Sequence, residues 1–159
     1  MVRTKIIVIG NDSMMSWVLP GIVEMFNMPS EITVDPADIQ AIMKIPGRAL
    51  MTVGEGQGKY GAMQAYQMAV TNPLVNLSID GAKGVLFNVK GGADLTLGDV
   101  NAVGEAISKK VAPDAMIFFG MVMDKTIQEG RVDITIIATG ILQEFEIVLP
   151  YAEAHQARH

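Results

Sequence analysis

The sequence predicts one α+β domain: a four-stranded mixed sheet with the element order β-α-β-α-β-β and its helices on one face. Three observations predict it. Four runs rich in β-branched and aromatic residues, "RALMTVGE", "GVLFNV", "AMIFFGMVMD" and "RVDITIIATGI", punctuate residues 48–141 and read as strands. The two stretches between the first three carry apolar residues at helical spacing. The last two runs are joined only by "KTIQEG", too short for a helix, which makes them antiparallel neighbours. With 159 residues, 50% of them apolar, the chain is long enough to bury one ordinary core.

Each element follows from local chemistry. "TKIIVIG" is a β-branched run stopped by the "GND" turn, a strand that needs a sheet edge to join, with a neighbouring chain one source of that edge. "SMMSWVLPGIVEMF" is apolar and helical in its second half, with Pro20 near the first turn of that helix. "NMPSEITVDP" is a loop. Ile39, Ile42 and Met43 then recur at helical spacing until Pro46-Gly47 ends the helix. After the strand "RALMTVGE", "KYGAMQAYQMAV" is a helix whose Ala62, Ala65, Tyr66 and Ala69 share one face. "GVLFNV" is closed by Gly91-Gly92. "LTLGDVNAVGEAISKKV" is the clearest helix: Thr96 and Asp99 make a capping-box pattern, and Leu97, Val100, Val103, Ile107 and Val111 an apolar stripe. "FEIVLP" reads as a further edge strand, and "YAEAHQARH" as a frayed tail. The chain divides into an N-terminal appendage (1–30), the main domain (31–142) and an edge strand with tail (143–159).

Composition excludes several functions. A formal charge of −5 leaves no basic face for nucleic acid. No cysteine is present, which removes disulfides and thiolate metal sites. The apolar run Ile6–Ile9 is too short for a secretory signal, and no stretch reaches a membrane span. A soluble, cytoplasmic protein is expected. His155 and His159 stand four apart, a metal-holding spacing on a helix, but they lie in the tail with no third ligand nearby. No metal and no cofactor are expected.

Three motifs invite chemistry. In "GEGQGKYG", Gly56, Gly58 and Gly61 match the dinucleotide pattern G-x-G-x-x-G between a strand and a helix. Glu55 would repel a pyrophosphate there, Asp80 does not end a strand as a ribose-binding acid should, and close helix–strand packing accounts for small residues equally well. Lys90 with "GGADLT" suggests an anion site that Asp94 opposes. The third motif is "EITVDPADIQAIMKI", residues 31–45, where Asp35 and Asp38 stand at a loop-to-helix junction. Asp35 as N-cap, Pro36 at the first helical position and Asp38 at the third satisfy free N–H groups and complement the helix dipole. A carboxylate so held is also rigid and ionised, and can polarise a water molecule when an electrophile arrives from outside.

Beyond such local patterns, residues 18–141 resemble FtsZ, the bacterial tubulin homologue. The likeness runs through "GIVEMFNMPSEITVDPADIQAIMKIPGRALMTVGEGQGKYGAMQAYQMAVTNPLV", "IDGAKGVLFNVKGGADLTLGDVNAVGEAI" and "PDAMIFFGMVMDKTIQEGRVDITIIATGI". "GAKGVLFNVKGGADLTL" followed by "RVDITIIATG" is its most specific part. "TKIIVIGND" is similar to the FtsZ strand that ends in a proline-asparagine-aspartate turn, with Gly10 in place of the proline. The resemblance implies the fold of the FtsZ C-terminal domain. It also implies that Asp35 and Asp38 match the acidic residues of the synergy, or T7, loop, which reach into the GTP pocket of the next subunit and help activate the attacking water. Thr33 stands where the family has asparagine and Pro36 where it has phenylalanine. The GTP-binding half with its phosphate loop is not found in these 159 residues, so the resemblance implies a chain that holds no nucleotide itself and is not an enzyme in isolation.

The expectation is therefore an interaction module that caps or modulates a filament. Asp35 and Asp38 act in trans, and Ile32, Thr33, Val34, Pro36 and Ile39 touch an FtsZ-type subunit or a second copy. Removal of one domain would expose Met14, Met15, Trp17, Val18 and Leu19, so a homo-oligomer through segment 14–19 is expected. One alternative is a small oligomeric enzyme or small-molecule binder, with Arg48, Lys83, Lys90 and Arg131 as the only anchors for an anionic substrate. Another is an excised or engineered half of a full FtsZ GTPase.

Overall fold

The computed structural model describes residues 5–9, 35–71, 75–76, 78–141 and 146–147. The helix expected in "SMMSWVLPGIVEMF", the segment 14–19, Ile32, Thr33, Val34 and both histidines lie outside the described residues. The elements are β1 (Lys5–Ile9), α1 (Pro36–Met43), β2 (Arg48–Gly56), α2 (Gly61–Val70), β3 (Val75–Asn76), β4 (Gly84–Gly91), α3 (Leu97–Ser108), β5 (Met116–Met123), β6 (Val132–Ile141) and β7 (Glu146–Ile147).

The main sheet has the order β1-β2-β6-β4-β5. Its four expected strands form a mixed sheet: β4 and β5 are parallel, and β6 is antiparallel to both β2 and β4. The strand "TKIIVIG" needs no neighbouring chain, because β1 pairs antiparallel with β2. "FEIVLP" contributes β7, which pairs with β3 in a separate two-stranded sheet instead of extending the main one.

The expected β5–β6 hairpin is incorrect. β6 lies between β2 and β4, and β4 separates it from β5. The link passes over the end of β4, which explains the glycines there. The Asp124 N–H donates to the Gly91 carbonyl at 2.8 Å, and a Cβ on Gly92 would come within 2.8 Å of the Ile127 carbonyl oxygen. The Asp124 carboxylate accepts from the Thr126 N–H and O–H, tightening the turn that makes so short a crossing feasible.

Alternation along the strands sorts the sheet into two faces. Val85, Phe87 and Val89 of β4 and Ile134, Ile136 and Ala138 of β6 point to one side, where they meet Ala62, Ala65, Tyr66 and Ala69 of α2 and Val100, Val103 and Ile107 of α3. That is the face and the helical stripe expected, with one exception. Leu97 is 49% exposed, and Leu95, just before the cap, is buried in its stead. The capping box explains the shift: Thr96 Oγ1 accepts from Asp99 N–H and the Asp99 carboxylate from Thr96 N–H, so Leu97 falls in the first turn, ahead of the residues that reach the sheet. The small side chains of α2 let it lie close on β2. A Cβ on Gly54 would overlap the Ala65 carbonyl oxygen, and one on Gly56 that of Gly61.

The third helix, α1, sits on the opposite face. Residues of alternate parity point there, and Gly84 leaves the space that Ile42 and Ile45 fill: a Cβ would stand 2.8 and 2.6 Å from their methyl carbons. Thr139, fully buried, donates its hydroxyl to the Ile42 carbonyl at 2.9 Å. Ile39 and Ile42 are wholly buried, so tertiary packing, more than intrinsic propensity, holds this eight-residue helix.

Candidate functional site

The N-terminus of α1 is built as the local sequence dictates. Asp35 has extended backbone (φ −69°, ψ 133°) and is the N-cap, its Oδ1 accepting from the Ala37 N–H at 2.8 Å. Pro36 occupies the first turn, where a missing N–H costs nothing. Its fixed φ suits the helix start. Asp38 lies in the same turn, so two carboxylates face the positive end of the helix dipole. Asp35, Pro36 and Ala37 are exposed and Asp38 is half-buried. Among the described residues no hydrogen bond engages the Asp38 carboxylate. Beneath them Ile39, Ile42 and Met43 are buried. The arrangement is a rigid, acid-tipped pedestal. Ile39, placed with the contact residues from sequence, has no exposed surface and serves to seat the helix, which leaves Pro36 as the described contact candidate beside the two acids.

The dinucleotide pattern resolves into packing and turn geometry. Gly56 is where α2 crosses β2, Gly58 has φ +91°, and a Cβ on Gly61 would stand 2.8 Å from the Gly130 carbonyl oxygen. Gly58 N–H is itself bonded to that carbonyl at 2.9 Å. A cleft of about 490 Å³ does open there, lined by Gly58, Lys59, Asp94, Thr96, Asp99 and Glu129 among others. Three acids against one lysine make it unsuited to a pyrophosphate. Two of those acids are already engaged: Asp94 accepts from Gly130 N–H at 2.9 Å and Asp99 from the Thr96 cap. The cleft lies on the α2/α3 side of the sheet, away from α1.

Of the four cations expected as anchors for an anionic substrate, the Arg48 side chain lies outside the described residues and the other three are committed. Lys83 pairs with Asp114 at 3.2 Å, Lys90 with Asp124 at 3.9 Å, and Arg131 with Glu55 at 2.9 Å and Asp133 at 3.4 Å. The Lys83 ammonium, chiefly through its hydrogen bond, holds the Asp114 carboxyl below the usual carboxylate range. No cluster of three potential metal ligands occurs among the described residues, and no helix among them is long and apolar enough to cross a membrane.

A split mixed sheet, two crossover helices on one face and an acid-capped helix on the other define a domain of the tubulin-like class. The comparisons with known proteins agree. The family model "FtsZ family, C-terminal domain" matches residues 47–142. The chain is 39% identical over 122 residues to a cell division protein FtsZ of Wolbachia sp, covering 76% of this chain and 30% of that protein. It is 41% identical over 121 residues to the FtsZ of Caulobacter vibrioides, covering 76% and 24%. Among solved structures, the "FtsZ dimer, empty" of M. jannaschii superposes with a TM-score of 0.67 at 34% identity, over 80% of this chain and 37% of that one. The chain belongs to the FtsZ family, and it spans less than half the length of these relatives.

Proposed function

We propose that this chain docks the N-terminal end of α1 onto the nucleotide-bearing end of an FtsZ subunit and so caps or modulates a filament, with Asp35 and Asp38 as trans-acting groups. The observation that supports the reading most is the combination at Asp35: a carboxylate fixed in place by its bond to Ala37 N–H, yet exposed. An acid fixed on a buried pedestal meets the requirement for orienting water beside a γ-phosphate, which is positioning before all else. Head-to-tail filaments are made of heterologous contacts. The described residues offer the α1 face and, among them, no nucleotide-bearing face, so a copy docked through α1 should end a filament there.

The test uses purified FtsZ and GTP, with the chain added well below stoichiometry. Filaments seen by electron microscopy should shorten as the chain is added. Unchanged filament length at every ratio up to equimolar would reject the reading.

A further inference from the structure

The sheet order leaves β5 at an edge. Among the described residues no strand pairs with its outer side. Met116 N–H and Asp124 N–H both point inward, to the carbonyls of Lys83 and Gly91. With a period of two, Ile117, Phe119, Met121 and Met123 therefore turn their N–H and C=O groups outward. Native sheets blunt such edges with charge, proline or a bulge. β5, "MIFFGMVM", has no charged residue and no proline over eight residues, and its pairing to β4 runs without a register shift. Met116 is 39% exposed, and Ile117, Phe118 and Phe119 are half-buried. Charges stand at its two ends, Asp114 paired with Lys83 before it, and Asp124, paired with Lys90, followed by Lys125 after it.

We propose that this edge pairs with the same edge of a second copy, antiparallel about a two-fold axis at Gly120, joining two sheets into one. The register follows from backbone parity and charge. In an antiparallel pair, outward-turned residues must oppose outward-turned residues. Centring on Gly120 sets Phe119 opposite Met121, Ile117 opposite Met123 and Phe118 opposite Val122, so the apolar stretch from 117 to 123 is wholly matched. Met116 then faces Asp124. Moving the centre to Phe119 would set Asp114 against Asp124, like charges directly opposed. Moving it to Met121 would bring Asp124 against Phe118 and shorten the apolar match. A second copy thus fits this edge by self-complementarity, and a two-fold contact closes at the dimer. α1 packs over β4 at Gly84, one strand in from this edge.

The chain has no cysteine, which makes the register directly testable. Met116 and Asp124 turn their N–H groups inward, so they meet as a non-hydrogen-bonded pair with Cα atoms about 4.5 Å apart, within reach of a disulfide. Chains carrying M116C and D124C, mixed and oxidised, should form a cross-linked dimer, and either variant alone should not. In sedimentation, M116E should weaken the dimer and M116K tighten it, each by roughly fivefold from two symmetric charge pairs, with unfolding midpoints near wild type because Met116 is exposed. A chain that stays monomeric up to about 100 μM would overturn the proposal. So would a dimer indifferent to M116E and M116K that fails to cross-link, as pairing through segment 14–19 would give. An open ladder of larger species, the mark of β1-to-β5 pairing, would overturn it too. None of these variants touches Asp35 or Asp38, so failure here leaves the filament-docking reading standing.

Discussion

Replacing Asp35 separates what its carboxylate does for α1 from what it offers a partner. Asp35→Ala removes the 2.8 Å bond to Ala37 N–H and one charge from the helix start. Loss of an N-cap side chain costs about 1 kcal/mol. The lost dipole interaction adds a few tenths more at an exposed position, because Asp38 remains in the same turn. The total is about 1–1.5 kcal/mol, or roughly 5 °C in Tm for a domain of this size. Asp35→Asn keeps an oxygen in the capping position and should stay within about 0.5 kcal/mol of wild type. Urea unfolding followed by far-ultraviolet circular dichroism reads both. Wild-type stability in the alanine variant, or equal loss in both variants, would refute the capping geometry. If the carboxylate also acts in trans, Asp35→Asn should abolish any stimulation of GTP turnover by an FtsZ partner while leaving the fold intact.

Further outcomes follow from packing and burial. Gly54→Ala should destabilise by at least about 3 kcal/mol, at or beyond the usual limit for overpacking, because the added carbon meets the backbone of α2 instead of a movable side chain; thermal unfolding measures it. Burial, with the Asp80 charge adding to it, raises the Tyr66 hydroxyl above the ordinary tyrosine pKa. The folded state therefore holds that proton more tightly than the unfolded one. Its contribution is fully present below about pH 10 and is lost as pH rises through the folded value. Absorbance at 295 nm should show one tyrosine ionising late, together with loss of helical signal, and Tyr66→Phe should remove that coupling.

Much of the fold was legible because its causes are local. The capping box at Thr96 and Asp99, the alanine face of α2 and the Asp35-Pro36 helix start each involve residues a few positions apart. The place of β6 was not legible. A short link ordinarily joins neighbouring strands, and only the path of 124–131 across the end of β4 reveals the exception. Its sequence trace was Gly91-Gly92, which reads equally well as a strand end. Leu97 was misplaced because helical periodicity does not say where a helix first reaches its sheet. Glycines 56, 58 and 61 show the same ambiguity: small residues admit either a phosphate or close backbone packing, and here the backbone of α2 fills the space at Gly56, Gly58 serves a positive-φ turn, and Gly61 abuts the Gly130 carbonyl. At the candidate site, the sequence located both carboxylates, but local spacing alone does not distinguish an exposed residue such as Pro36 from a buried one such as Ile39.

The most direct test of the docking account is the affinity of the chain for GTP-loaded FtsZ, held below its assembly concentration and measured by sedimentation. Ala37 is exposed, and its N–H bond to Asp35 survives substitution, so Ala37→Arg alters the docking face without disturbing α1. A one-to-one complex is expected, which Ala37→Arg weakens at least about tenfold, the scale of one disrupted interface contact. No complex at tens of micromolar, or one that binds the arginine variant equally well, would contradict it.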